Sequence, residues 1–174
     1  MMSEETLKIL QARSRKLARK PSKPEQPSED LLAVTEFLLA RERYALELRF
    51  IREIWPLKDL TPLPCTPPFV LGIINIRGQI LSVIDFRRYA GLPIKGITEL
   101  NRVVILKSGD MEFGILADEI IGMRNVSLRE MQRQPFQTGI LMQFIIGIAP
   151  DGCIVLDGGK ILTDRKIVVE EEDT

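Results

Sequence analysis

The 174-residue chain contains no histidine. That absence removes Ser-His-Asp and Cys-His nucleophile pairs, histidine metal sites and a phosphohistidine carrier, because each depends on an imidazole that titrates near neutrality. Cysteine is scarce: Cys65 and Cys153 lie in different segments with no ligand-like spacing, so they read as reduced bystanders. The chain also lacks G-x-x-x-x-G-K-[ST] and G-x-G-x-x-G, the usual backbone cradles for a nucleotide phosphate, and no bound cofactor is expected. No apolar run approaches the roughly 20 residues that span a bilayer, so direct membrane insertion is not expected. The opening MMSEETLKILQARSRK has no apolar centre of a secretory signal, which points to the cytoplasm. Net charge is missing too. Lys plus Arg number 24 and Asp plus Glu 24, so the whole molecule has no reason to act as a nucleic-acid or membrane-surface binder.

What is present is 45% hydrophobic and 28% charged, enough for one compact domain and a tail. Residues 3–20 predict a helix, with Ser3 as N-cap, Glu4 and Glu5 at its positive end and basic residues towards its other end. Its apolar stripe is thin. Residues 20–30 carry Pro21, Pro24 and Pro27 with almost nothing apolar and read as a linker. The division is therefore a basic helix and Pro-rich linker over 1–30, a folded domain over 31–168 and an acidic tail over 169–174.

Within the domain the signals are those of strands. FLLARERYALEL predicts a hairpin around Arg41-Glu42-Arg43 with one wet face, and IINIRGQILSVI a second that turns at Arg77-Gly78. RVVILKSGDMEFGILAD turns at Ser108-Gly109-Asp110, and IIGIAPDGCIVLD at Pro150-Asp151-Gly152. Residues 60–72, with Pro62, Pro64, Pro67 and Pro68, should cross the surface in extended form before a turn at Phe69 to Leu71. FRRYAGL and SLREMQRQ each predict a short helix, the first capped by Asp85 and the second opened by Ser127 and Glu130. Gly72-Ile73, Gly78 and Asp85 are loosely echoed by Gly147-Ile148, Gly152 and Asp157, which hints at two related halves. Ile74, Ile76, Val83, Ile84, Val104, Leu106, Ile115 and Val155 are the expected core.

Catalysis has little to stand on. Asp85, Asp118, Asp157, Glu53 and the cysteines are the candidates, and each has a simpler reading as a cap, a turn residue or an inert thiol. Segment 11–24, with six Lys or Arg and no acid, lacks both the apolar face of a membrane-lying helix and the aromatic platforms of a single-strand binder. Arg77 is the residue that asks for an explanation. In its hairpin Ile74 and Ile76 share one face while Ile73, Asn75 and Arg77 share the other, so Arg77 either reaches a partner from a rigid ribbon or pairs internally with Asp85 or Glu53.

ERYALEL, IREI, LTPLPCTPPFVLGIINIRGQILSVIDFRR, FGILADEIIGM and FIIGIAPDGCIVLDGGKIL, in this order, resemble the CheW adaptor family of bacterial and archaeal chemotaxis over about residues 34–165. The most specific element is G-x-x-N-L-R-G-x-[IV]-x-P-[VI]-x-D-[LI]-R, met by Gly72, Asn75, Arg77, Gly78, Ile80, Val83, Asp85 and Arg87, with Ile76, Ser82 and Phe86 as departures. The resemblance implies an all-β fold of two packed five-stranded SH3-like barrels with short helices. It also implies a non-enzymatic scaffold that couples methyl-accepting chemoreceptors, at their cytoplasmic tips, to the regulatory domain of the histidine kinase CheA within receptor arrays at the inner face of the membrane. Carried over by position, Ile51, Glu53, Gly72, Asn75, Arg77, Gly78 and Asp85 are the expected partner-binding residues. The alternative is a nucleic-acid-binding small β-barrel using a β face and the basic arm, which steep salt dependence would reveal.

Overall fold

The computed structural model describes residues 30–94, 96–133 and 139–167. The helix expected at 3–20, most of the linker and the acidic tail lie outside these residues.

Ten strands follow in chain order: β1 (Leu31–Leu39), β2 (Glu42–Glu47), β3 (Ile51–Pro56), β4 (Val70–Ile76), β5 (Gln79–Ile84), β6 (Arg102–Ser108), β7 (Met111–Ala117), β8 (Glu119–Ser127), β9 (Ile145–Ile148) and β10 (Ile154–Leu156). They form two five-stranded sheets, β8-β1-β2-β10-β9 and β3-β6-β7-β5-β4, so the all-β class and strand count are as expected. Three of the four hairpins turn where their turn residues place them; the first turns at Ala40-Arg41, and Glu42 and Arg43, expected at its tip, are already paired in β2. At the second, Arg77 and Gly78 have φ of 51° and 86°. Positive φ at both central positions is the type I′ pattern, whose twist matches that of the flanking strands.

The two sheets repeat one plan. A parallel pair joins the hairpins in each, β10 on β2 in the first and β5 on β7 in the second. An isolated bridge borders each outer hairpin, Thr61 to Ile73 and Gln132 to Ile148. Asp85 N donates to Phe69 O at 2.7 Å, and Asp157 N to Phe144 O at 2.6 Å. Both aspartates then cap short helices, α1 (Phe86–Ala90) and α2 (Gly158–Thr163). The loose sequence echo is thus a structural one.

Three apolar clusters explain why the strands read as nearly continuous apolar runs. Ile74, Ile76, Leu81, Val83, Val103, Ile105 and Leu116 fill the second sheet, and Val34, Ala45, Val126, Cys153 and Val155 the first. A third cluster, with Phe37, Tyr44, Leu46, Phe86, Val104, Leu106, Phe113 and Leu156, lies between the sheets. Successive residues of β6 therefore enter different clusters, and the eight expected core residues are all buried.

Three local expectations are corrected. The β1–β2 hairpin has no wet face at its centre: Tyr44 and Leu46 enter the shared cluster and Ala45 the first sheet's own. Residues 127–133 of SLREMQRQ form no helix, because Ser127 ends β8 and Gln132 bridges to Ile148. The chain turns at Pro64-Cys65 and Pro68-Phe69, so Val70 and Leu71 already belong to β4.

Candidate protein-binding surface

Asn75, Arg77 and Gly78 lie at the tip of the β4–β5 hairpin. Asn75 Oδ1 accepts a hydrogen bond from Gly78 N at 2.9 Å, which closes the turn from within. Although β3 and β4 are at opposite ends of the sheet order, the sheet curls until this tip meets β3. Arg77 Nη2 lies 3.4 Å from Glu53 Oε2, and its guanidinium carbon sits 5.4 Å from the centre of the Trp55 ring. Glu53 and Trp55 are two apart on one strand and so share a face. Arg77 is tethered at two points and still has a side chain 68% exposed, so its remaining donors face outward.

Around this pair runs a polar network. Arg52 Nη1 donates to Gln79 Oε1 at 2.8 Å and also to Glu112, Gln79 Nε2 donates to Glu112 Oε2 at 2.9 Å, and Arg52 Nε lies 3.6 Å from Glu53. Burial alone would raise the Glu112 carboxyl, but hydrogen bonds from Arg52 and Gln79 and the charges of Arg52 and Lys107 outweigh it and hold the group below its ordinary value. Ile80, opposite Asn75 in the register, exposes 64% of its surface beside these charges.

The other expected site residues do different work. Gly72 has φ of +152°, and a Cβ there would sit 2.3 Å from Thr61 O. Only glycine lets the proline-rich segment exchange the bonds Thr61 N to Ile73 O, 2.9 Å, and Ile73 N to Thr61 O, 2.8 Å. Ile51 is half-buried against the shared cluster. Asp85 is the clear correction. It is 1% exposed, and its carboxylate accepts from Arg87 N, Nε and Nη2 at 3.1, 2.9 and 2.9 Å, so it caps α1 and braces the interior instead of meeting a partner. Of the two internal partners considered for Arg77, Glu53 is the one found. Sequence reasoning missed Trp55, Arg52, Gln79 and Glu112. Trp55 alone carried a local signal, two positions after Glu53.

The first sheet closes by the same device with the charges reversed. Asp151, in the β9–β10 turn, pairs with Arg124 of the edge strand β8 at 2.8 Å, and both join Arg43 and the buried Glu36. A hydrogen bond from Arg124, opposed by desolvation and helped by Cys153 N–H and the charges of Arg124 and Arg43, holds the Asp151 carboxyl at about 2. Because this lies below its ordinary 3.8, Asp151 stabilises the fold above about pH 4, and that stabilisation is lost as pH falls through about 2. Asp151→Asn should therefore destabilise the chain near neutrality by under about 1 kcal/mol, given its exposure. Denaturation curves of the two proteins should converge between about pH 4 and pH 2; a constant gap across that window would contradict this account.

The CheW-like domain family model matches residues 34–166. The chain is 31% identical over 153 residues to the chemotaxis protein CheW of Treponema pallidum, covering 83% of this chain and 89% of that one. It is 30% identical over 99 residues to CheW of Bacillus subtilis, covering 57% and 64%. The crystal structure of the scaffolding protein TtCheW from Thermoanaerobacter tengcongensis superposes with a TM-score of 0.66 at 29% identity over 72% of this chain and 83% of that one. With its two five-stranded sheets and the N-x-R-G hairpin in register, the chain belongs to the CheW-like family of chemotaxis adaptors.

Proposed function

We propose that the protein is a non-enzymatic, cytoplasmic adaptor that couples methyl-accepting chemoreceptors to the regulatory domain of the histidine kinase CheA, and that the rim formed by Glu53, Asn75, Arg77 and Gly78 takes part in that coupling. The observation that carries this reading is Arg77 itself, held by Glu53 and Trp55 yet mostly exposed. A guanidinium fixed in place loses little freedom when its planar fork meets a carboxylate or backbone carbonyls, so it contributes more to recognition than a mobile surface arginine. The apolar Ile80 beside it supplies contact area that a charge alone does not.

Arg77→Ala should change the thermal midpoint little, since exposed ion pairs contribute under about 1 kcal/mol. Binding to kinase and receptor fragments should weaken more than tenfold, about 2 kcal/mol. Ile74→Asp, which buries a carboxylate in the core, should unfold the domain and abolish binding together. If Arg77→Ala melts as early as Ile74→Asp, the arginine is an internal brace; if it melts and binds like the parent, this surface is not the docking site.

A further inference from the structure

Beside β9 and the start of α2 lies a recess of about 350 Å³, lined by Arg133, Met142, Ile145, Ile148, Asp157 and Lys160. We propose that it is a docking site for the chain's own acidic segment, residues 168–174, whose carboxylates meet Arg133 and Lys160. The strands differ from those that carry Arg77, so this goes beyond the function proposed above.

The charge at the recess is one-sided. Arg133 and Lys160 are both exposed, and neither has an ion pair among the described residues. Asp157 is the one acid in the lining, and its Oδ1 already accepts from Lys160 N at 3.1 Å. Residues 134–138, which follow Arg133, contain no charged side chain that would alter this sum. Arg165 and Lys166, just after α2, are exposed and equally unpaired among the described residues. Four free cations thus line the recess or follow α2, and the residues that come after Ile167, VVEEEDT, carry four acids. Val168 and Val169 offer apolar surface to match Met142, Ile145 and Ile148, which the fold leaves partly or largely uncovered.

The segment also starts from a fixed point. Asp164 Oδ1 accepts from Tyr89 Oη at 3.1 Å and from the amides of Lys166 and Ile167 at 2.8 and 3.1 Å, and Ile167 is 3% exposed. This pinned turn begins four residues after Lys160, a helical distance of about 6 Å, whereas seven extended residues reach about 23 Å. Exposed ion pairs are weak one at a time, but a tether this short raises the local concentration of the acids to the millimolar range, so that weak pairs populate the contact.

The test is paramagnetic relaxation in the full chain carrying Cys65→Ser and a nitroxide on Thr174→Cys; Cys153 is buried and stays unlabelled. The amides of Met142, Gly147, Ile148 and Lys160 should be broadened. The set Glu170→Gln, Glu171→Gln, Glu172→Gln and Asp173→Asn should lower that broadening about threefold, as the loss of two exposed ion pairs would, and Arg133→Gln with Lys160→Gln should lower it as far. Arg165→Gln with Lys166→Gln should leave most of it in place. No broadening at these amides, or broadening that survives either of the first two sets, would overturn the proposal. Loss with the Arg165 and Lys166 substitutions alone would mean that the acids only satisfy their neighbours in sequence. Broadening seen only between labelled and unlabelled chains in a mixture would make the occupant a second copy. Shifts caused by added N-acetyl-triglutamate in a chain whose label leaves the recess untouched would make it an external acidic partner. Each of these overturns the proposal equally.

Discussion

Replacing Arg87 with methionine is expected to cost about 3–5 kcal/mol of unfolding free energy, the range found when one partner of a buried ion pair is removed. The side chain is 2% exposed and joins Asp85, at the start of α1, to Asp118, at the corner between β7 and β8. Most of the cost comes from the carboxylates left behind, Asp118 without its guanidinium and Asp85 with only the half-exposed Arg88 at 3.5 Å, since the attraction itself is largely offset by desolvation. Arg87→Lys should recover little, because one ammonium cannot span the paired Asp85 contacts and Asp118 together. Arg88→Met, removing a half-exposed neighbour at 3.5 Å, should cost under about 1 kcal/mol. Urea titrations of the three variants decide the matter: if Arg87→Met and Arg88→Met share a midpoint, the buried brace has been misread.

Gly72→Ala should be nearly as damaging, at about 3 kcal/mol or more, because left-handed strain and overpacking fall on the same atom. The new Cβ would lie 2.3 Å from a backbone carbonyl, which cannot rotate away as a side chain does. Gly147 provides the comparison at the equivalent place in the first sheet. A Cβ there meets Met131 Cβ at 3.1 Å and Gln132 O at 3.4 Å, with no strained φ. Gly147→Ala should therefore be milder by at least about 2 kcal/mol. Hydrogen exchange gives a local check: Gly72→Ala should deprotect the Thr61 and Ile73 amides, whose mutual bonds depend on the missing Cβ. If the two alanine variants were equally stable, the close approach at Gly72 would not matter.

The hairpins were legible because each is a local event, a turn residue with alternation on either side. β3 and β8 were not. Both are edge strands, and β8 exposes Ile121 and Met123, so its apolar residues do not mark a buried face. The resemblance to a known family, not periodicity, supplied the tally of ten strands. α2 was hidden by Gly158-Gly159, poor helix formers that are favoured because a Cβ built there would lie 2.9 Å and 3.2 Å from the Phe50 ring, closer than van der Waals contact. At the candidate site, Asn75, Arg77 and Gly78 could be read from the turn they make. Trp55 reaches Arg77 only because the sheet curls closed, and Glu112 reaches Arg52 across β6, which are pairings between distant segments that no local pattern records. Asp85 shows the opposite limit: its place in the family's motif reflects the interior brace, and only burial separates that role from surface contact.

The shared plan of the two sheets sets the order in which they can be completed during synthesis. β3 to β7 are consecutive, so residues 51–117 contain every strand of the second sheet. The first sheet is split around them: β1 and β2 are made first, and β8, β9 and β10 come last. Read as β8-β9-β10-β1-β2, it is a circular permutation of the second, with the second inserted into it. A growing chain therefore carries β1 and β2 as an unfinished pair, with the edge of β2 open until β10 arrives about a hundred residues later.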